Sequence, residues 1–444
     1  MKIRNIIITG FLITGTALSA QTEATEITSP QTEVNDTLSA QTEAGESLSS
    51  QTELDGYLIV AAEQNPAIKA KFNEYMAALE VVPQVGGLPD PQLAFGYFIS
   101  PVETRVGPQQ FKISLTQMLP WFGTLGAKED VATQLARAKY EAFEEARSNL
   151  FFEVKSAYFD LYFVGKAIEA TAGNLQIMET FRNLALIKIE AGTGSAVDEM
   201  RVEMELADLE NSLALLKDRW NVYRIKFNNL LNVSEDNPVE IPATLWTTDL
   251  TYSRESILDT LRAKNPQVLS LDYMLESYRS KEALAKKSGL PNLSIGIDYT
   301  VIGKTDNAMA DPAINGQDAI LFPKIGITIP LYRKKYNAMV NEAVYMQQAT
   351  EDKKADKINT LESLFEKVYS EYMDADRRIT LYQTQLQLAE KSIKILESDY
   401  TNSGRNFVEI LRMENRWLKY ALELEKSRSD KQASIAFINY LMGN

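Results

Sequence analysis

None of the chain's 15 prolines lies between Trp121 and Asn237, and none follows Pro330. Proline removes a hydrogen bond from a helix interior and clashes with the preceding turn, so these two long segments are free to be helical throughout. Each is interrupted once by turn residues: Gly192-Thr193-Gly194-Ser195 in the first and Asn402-Ser403-Gly404 in the second. Glycine and asparagine accept the left-handed conformation that ends helices. Each segment therefore reads as a helical hairpin. The longer arms run from about Lys128 to Glu190 and from about Tyr336 to Tyr400, and at 1.5 Å per residue each spans roughly 90–100 Å. Along the first, Val131, Leu135, Ala138, Ala142, Ala146, Leu150, Val154, Ala157, Leu161, Val164, Ile168, Ala172 and Leu175 trace one face. Their spacing fits a nearly straight helix better than a left-handed heptad. Periodicity alone leaves an ordinary antiparallel coiled coil open.

The proline-bearing segments alternate instead. In Leu93–Ser100, Phe111–Thr116, Leu293–Thr300 and Lys324–Ile329, apolar residues take turns with small or polar ones. A period of two means strands with one apolar and one polar face. The expected strands, at about 92–101, 110–120, 292–302 and 321–330, have the 9–11 residues that a tilted strand needs to cross a bilayer. Trp121-Phe122 and Tyr332 fall at strand ends, where an interfacial aromatic girdle would sit. Any one of these strands would also suit a soluble sandwich.

The sequence begins with Lys2 and Arg4, the apolar run Ile6 to Leu18, and the small residues Ala17, Ser19 and Ala20. That order is a secretory signal peptide, with cleavage expected after Ser19 or Ala20. From Gln21 a Gln-Thr-Glu unit recurs every ten residues, at Gln21, Gln31, Gln41 and Gln51. So polar and acidic a stretch cannot bury enough apolar surface to fold, and reads as a disordered leader. The chain contains no cysteine and no histidine, so thiol nucleophiles, imidazole bases and Cys/His metal sites are excluded. A net charge of −14 argues against a nucleic-acid binder. Paired carboxylates such as Glu199/Glu203 and Glu144/Glu145 sit in charge-alternating helical contexts and read as solvated faces. Met200 and Met204 read as packing. No cofactor is expected.

Folding the sequence on itself exposes a duplication. Asn65-Pro66 recurs as Asn265-Pro266, Leu88-Pro89-Asp90 as Leu290-Pro291-Asn292, and Leu119-Pro120-Trp121-Phe122 as Ile329-Pro330-Leu331-Tyr332. Gly194 and Glu199 align in the same way with Gly404 and Glu409. The chain divides into a signal peptide at 1–20, an acidic leader at 21–53, and structural repeats at 54–262 and 263–444 with tips at 191–197 and 401–406. Four strands cannot close a barrel and open edges are not tolerated in lipid, so several copies must share one.

The duplicated strand-loop-strand units, each followed by a long hairpin, resemble the TolC-type outer-membrane efflux proteins over essentially all of Leu54 to Met442. So do the tips, Gly192-Thr193-Gly194-Ser195-Ala196-Val197-Asp198 and Tyr400-Thr401-Asn402-Ser403-Gly404-Arg405-Asn406-Phe407-Val408-Glu409. The resemblance implies an α+β membrane protein: four strands per chain toward a trimeric outer-membrane β-barrel, continued across the periplasm by a long α-helical barrel. It implies a passive, non-enzymatic exit duct, with a periplasmic adaptor and an inner-membrane RND or ABC pump as partners and outer-membrane lipid around the barrel. By motif position it makes Asp198, Tyr400 and Arg405 the links that close the periplasmic end. Glu409 would form an acidic ring, with Arg412 where a second acidic residue is expected. Gly192, Gly194, Ser195, Asn402, Ser403 and Gly404 would meet the adaptor. Phe95-Gly96-Tyr97-Phe98-Ile99 and Leu119–Leu125 resemble the heavy-metal branch, which points to metal cations as cargo and leaves drugs or secreted polypeptides, as in efflux or type I secretion, open. The rival reading is a periplasm-spanning coiled-coil spacer or adhesin stalk, which leaves the four strands without a purpose.

Overall fold

The structure, a computed structural model, describes residues 52–246, 248–306, 311–403 and 406–444, with the side chains of 319–321, 402 and 403 set aside. The expected signal peptide, and all but the last two residues of the expected leader, lie outside the described residues. Helix α1 (52–64) is followed by α2 (Pro66–Gly86), the strands β1 (Gln92–Tyr97), β2 (Glu103–Thr104) and β3 (Gly107–Leu119), and the helices α3 (Thr124–Glu190) and α4 (Ala196–Leu231). The order then recurs: α5 (Arg254–Lys264), α6 (Pro266–Ser288), β4 (Asn292–Ile302), β5 (Ala319–Thr328), α7 (Arg333–Ser403) and α8 (Phe407–Leu441).

Helices α3 and α7, of 67 and 71 residues, extend a few residues past the expected arms, to about 100 Å each. α3 packs against α2, α4, α6 and α8, whereas α7 packs against α6 and α8. Four neighbours explain why α3 does not bury one stripe as the sequence pattern implied. Leu135 is exposed, while Val154, Tyr158, Leu161, Tyr162 and Val164 are buried nearly all round the helix. There, Tyr57 and Phe227 pack on Tyr158, and Trp246 stacks on it. The segment between α4 and α5 is tied down at the same level: Tyr162 accepts the Leu245 amide and Lys431 of α8 pairs with Asp249 at 2.6 Å and Asp376 at 2.7 Å.

The duplicated Asn-Pro pairs have one structural meaning. Asn65 and Asn265 each cap the helix that follows, with proline at its first position, where a missing N–H costs nothing. The amide of each also reaches across to the end of a hairpin's return helix. Asn65 Nδ2 donates to the Leu230 carbonyl at 2.9 Å, and Asn265 Nδ2 to the Leu441 carbonyl at 2.9 Å. Each pair thus caps one helix start and closes one helix end.

The antiparallel sheet runs β1-β3-β4-β5, with β2 beside β3. β1 is shorter than the expected 92–101, because Pro101 cannot donate to the ladder and the chain turns into β2. Two other strands start early, β3 at Gly107 and β5 at Ala319. Pro323 lies in β5, an edge of this sheet, where a missing donor is tolerated. Register places Leu93, Phe95 and Tyr97 beside Leu115, Ile113 and Phe111, and these beside Ile297, Tyr299 and Val301. The other face carries Ala94, Gly96, Lys112, Ser114, Thr116, Ser294, Gly296, Asp298, Thr300, Lys324 and Gly326. The apolar face is uncovered: Phe95 is 73%, Tyr97 78% and Ile325 85% exposed. Phe122, Leu331 and Tyr332, just past the ends of β3 and β5, are equally bare. No described helix is long and apolar enough to cross a membrane.

Candidate functional site

The tip of the first hairpin is built from backbone rules. α3 ends where Gly192 takes φ +74°, and the Thr193 and Gly194 amides return to the Lys188 carbonyl at 2.9 and 2.8 Å. Ser195 then caps α4 by accepting the Val197 amide, and Asp198 and Glu199 in the first turn complement the positive end of the helix dipole. Asp198 is the less exposed partner of an ion pair with Arg201 at 3.3 Å. In the second hairpin Asn406, at φ +71°, starts α8 and bonds Asp399 through its side chain at 2.6 Å.

Phe407, Ile410, Leu411 and Leu418 of α8 meet Met178, Phe181 and Ala185 of α3, Val202, Leu206 and Leu209 of α4, and Tyr400 of α7 in one buried cluster. Tyr400 is 2% exposed, with its ring 4.9 Å from that of Phe407. Burial first, and the charge of Asp198 second, raise its phenol above the ordinary tyrosine range. Asp198 and Tyr400 are therefore close enough to interact through space, while the carboxylate spends its ion pair on Arg201. Glu409 and Arg412 pair with each other at 2.8 Å, both well exposed. Arg405 and Gly404 lie outside the described residues, as do the side chains of Asn402 and Ser403.

Two contacts were not anticipated from the sequence. Lys188, in the last turn of α3, donates to the Tyr400 carbonyl at 2.9 Å and places its ammonium 4.3 Å from the Tyr400 ring centre. It joins the two hairpins by a hydrogen bond to an orphan helix-end carbonyl and a cation–π contact at once. Deeper in the cluster, Glu414 of α8 is 3% exposed and receives the Asn174 amide of α3 at 3.4 Å. Burial, and the neighbouring charge of Glu397 on α7, push its carboxyl up to about 7. The Asn174 Oδ1 is buried with no donor, and a protonated Glu414 is the group placed to supply one.

Among the described residues no group of three or more Asp or Glu is arranged to hold a metal ion. What the geometry provides instead is a sheet with one bare apolar face, and, at the far end of the long helices, two hairpin tips joined by a few polar links.

The family model described as outer membrane efflux protein matches residues 59–233. The fold is that of VceC from Vibrio cholerae, with a TM-score of 0.72 over 90% of this chain and 98% of that one at 14% identity. CusC gives the same TM-score over 88% and 92% at 15% identity. The family match takes in the first repeat, and the fold is shared with these outer-membrane proteins along most of the chain. The chain is also 20% identical over 230 residues to toxin and drug export protein A of Aggregatibacter actinomycetemcomitans. That match takes in 51% of this chain and 49% of the relative, so the chain spans about half the length of the curated relatives it matches. Family members and structural neighbours are channels rather than enzymes.

Proposed function

We propose that this TolC-like chain is the exit duct of a tripartite efflux or type I secretion system, conducting passively from a periplasmic adaptor and an inner-membrane pump to the exterior. The observation that carries this is the open-edged, two-faced sheet at the end of the long helices. Its bare apolar face asks for lipid, and its free β1 and β5 edges ask for further copies of the chain. In a homotrimer the copies supply twelve long strands and close the wall. The first choice of cargo falls to the pump. The tips form the gate: Lys188 and Tyr400 fasten one hairpin to the other, with Asp198 and Arg405 as exchangeable polar links. Charge-assisted links of this kind hold a tip shut, yet yield to adaptor contacts at modest cost.

The test is single-channel conductance of the purified oligomer in planar bilayers, with Asp198→Ala, Lys188→Ala and Arg405→Ala beside the wild type. Small stable steps that grow in the variants support a duct closed at its tips. A folded oligomer that never inserts refutes the duct.

A further inference from the structure

Three successive rows of paired residues cross the polar face of the sheet. Lys112 lies beside Thr300, Ser114 beside Asp298, and Thr116 beside Gly296 and Lys324. Asp298 occupies the middle row and is 7% exposed. Both lysines bend toward it: Lys112 Nζ reaches Oδ2 at 2.6 Å and Lys324 Nζ reaches Oδ1 at 2.9 Å. Gly296 makes the second approach possible, because a Cβ there would stand 2.8 Å from the Lys324 Cε. One carboxylate cannot neutralise two ammonium groups, and the lysine side chains remain 40% and 36% exposed. No other charged residue lies on this face where β1, β3, β4 and β5 pair; Glu103 sits apart, in the short β2–β3 ladder beside Pro108. Around Asp298 the face therefore carries one surplus positive charge per chain, in a protein whose net charge is −14.

At the tip Glu409 pairs with Arg412 and Asp198 with Arg201, while Glu190 and Glu199 add acidic charge beside them.

We propose that Lys112 and Lys324 of every copy form a cationic ring inside the barrel, which favours anionic organic solutes, such as carboxylates and sulfonates, over bare cations. This rests on the duct reading, since only there does the polar face enclose a lumen. Ala94, Gly96, Ser114, Ser294 and Gly326 on this face are small, and the large side chains among them are Phe322, in the row of Asp298, and Met118, in the row of Ser294.

The chain's lack of cysteine allows a direct test. Thr116→Cys puts one thiol on the polar face in the row of Lys324, and Ile297→Cys puts one on the apolar face. In reconstituted oligomers, each thiol is treated with anionic sulfonatoethyl and cationic trimethylammonioethyl methanethiosulfonate, and the rates are normalised to those with a free thiol. At 10 mM salt, where charges act over ~30 Å, the anionic reagent is expected to react about fivefold faster at Thr116→Cys; at 1 M, where they act over ~3 Å, the bias disappears. Adding Lys112→Gln and Lys324→Gln leaves Asp298 alone and reverses the bias. Equal rates for both reagents, or a bias indifferent to salt and to the lysines, overturn the cationic ring while leaving the duct intact. Failure of either reagent to reach Thr116→Cys, with Ile297→Cys freely labelled, overturns the duct reading and the ring with it.

Discussion

Glu414 makes the stability of the hairpin tips depend on pH, in the direction opposite to that of an ion-paired carboxylate. In the folded tip its carboxyl titrates near 7, against ~4.3 in an unfolded chain. Between those values the folded tip holds a proton that the unfolded chain has released, so stability falls as pH rises. At ~1.4 kcal/mol per unit the whole loss is at most ~3–4 kcal/mol, complete above about pH 8 and absent below about pH 4. Glu414→Gln removes the ionisation, keeps the volume, and retains an N–H that can serve the unpartnered Oδ1 of Asn174. Hydrogen exchange of peptides covering Ile410–Leu418, corrected for the intrinsic pH dependence of exchange, reads the local opening energy. The variant is expected to be ~3 kcal/mol more protected than the wild type at pH 8 and only ~1 kcal/mol more at pH 5. A difference of the same size at both pH values would mean that the substitution acts through packing and that Glu414 carries no buried proton.

Other substitutions test other joints. Lys188→Met keeps the aliphatic stem but loses the hydrogen bond and the cation–π contact to Tyr400; hydrogen exchange at the end of α7 is expected to show ~1–2 kcal/mol of loosening. Asn265→Asp preserves the cap but loses the donor to Leu441, and Asn265→Ala loses both; thermal unfolding is expected to rank them wild type, Asp, Ala, with a total cost of ~2–3 kcal/mol. Lys431 is buried while Asp249 and Asp376 are largely solvated, so the Asp249→Asn/Asp376→Asn pair is expected to lower the melting temperature more than Lys431→Met, which leaves only hydrated carboxylates behind. Gly192→Ala meets no neighbour within 4 Å, so its cost, ~1 kcal/mol in the protection of the end of α3, comes from the left-handed backbone alone.

Proline placement and period-two alternation announced the helices and strands because both act locally, through backbone donors and the pleat. The ends of β1 and β5 moved because strand limits depend on pairing across the sheet, which no local pattern encodes. Asn65 and Asn265 were visible as a repeated pair, but their second bonds go to carbonyls more than 160 residues away. The same distance hid Lys188, since a lysine in the last turn of a helix is ordinary until Tyr400 is found beneath it. Glu414 did leave a signal. Phe407, Ile410, Leu411, Glu414 and Leu418 follow the three-four spacing of a buried stripe, and the acid occupies an apolar place in it.

The bare apolar face of the sheet and its two free edges also bear on how such a chain reaches its membrane. Water penalises the face and hydrocarbon penalises the edges, so a lone copy has no resting place in either phase. Finding partners and entering the bilayer then become a single event, and its rate rises more steeply than in proportion to the amount of chain available. If the chain assembles as proposed, a shortage of it is felt first as unassembled material, well before finished oligomers lose any stability.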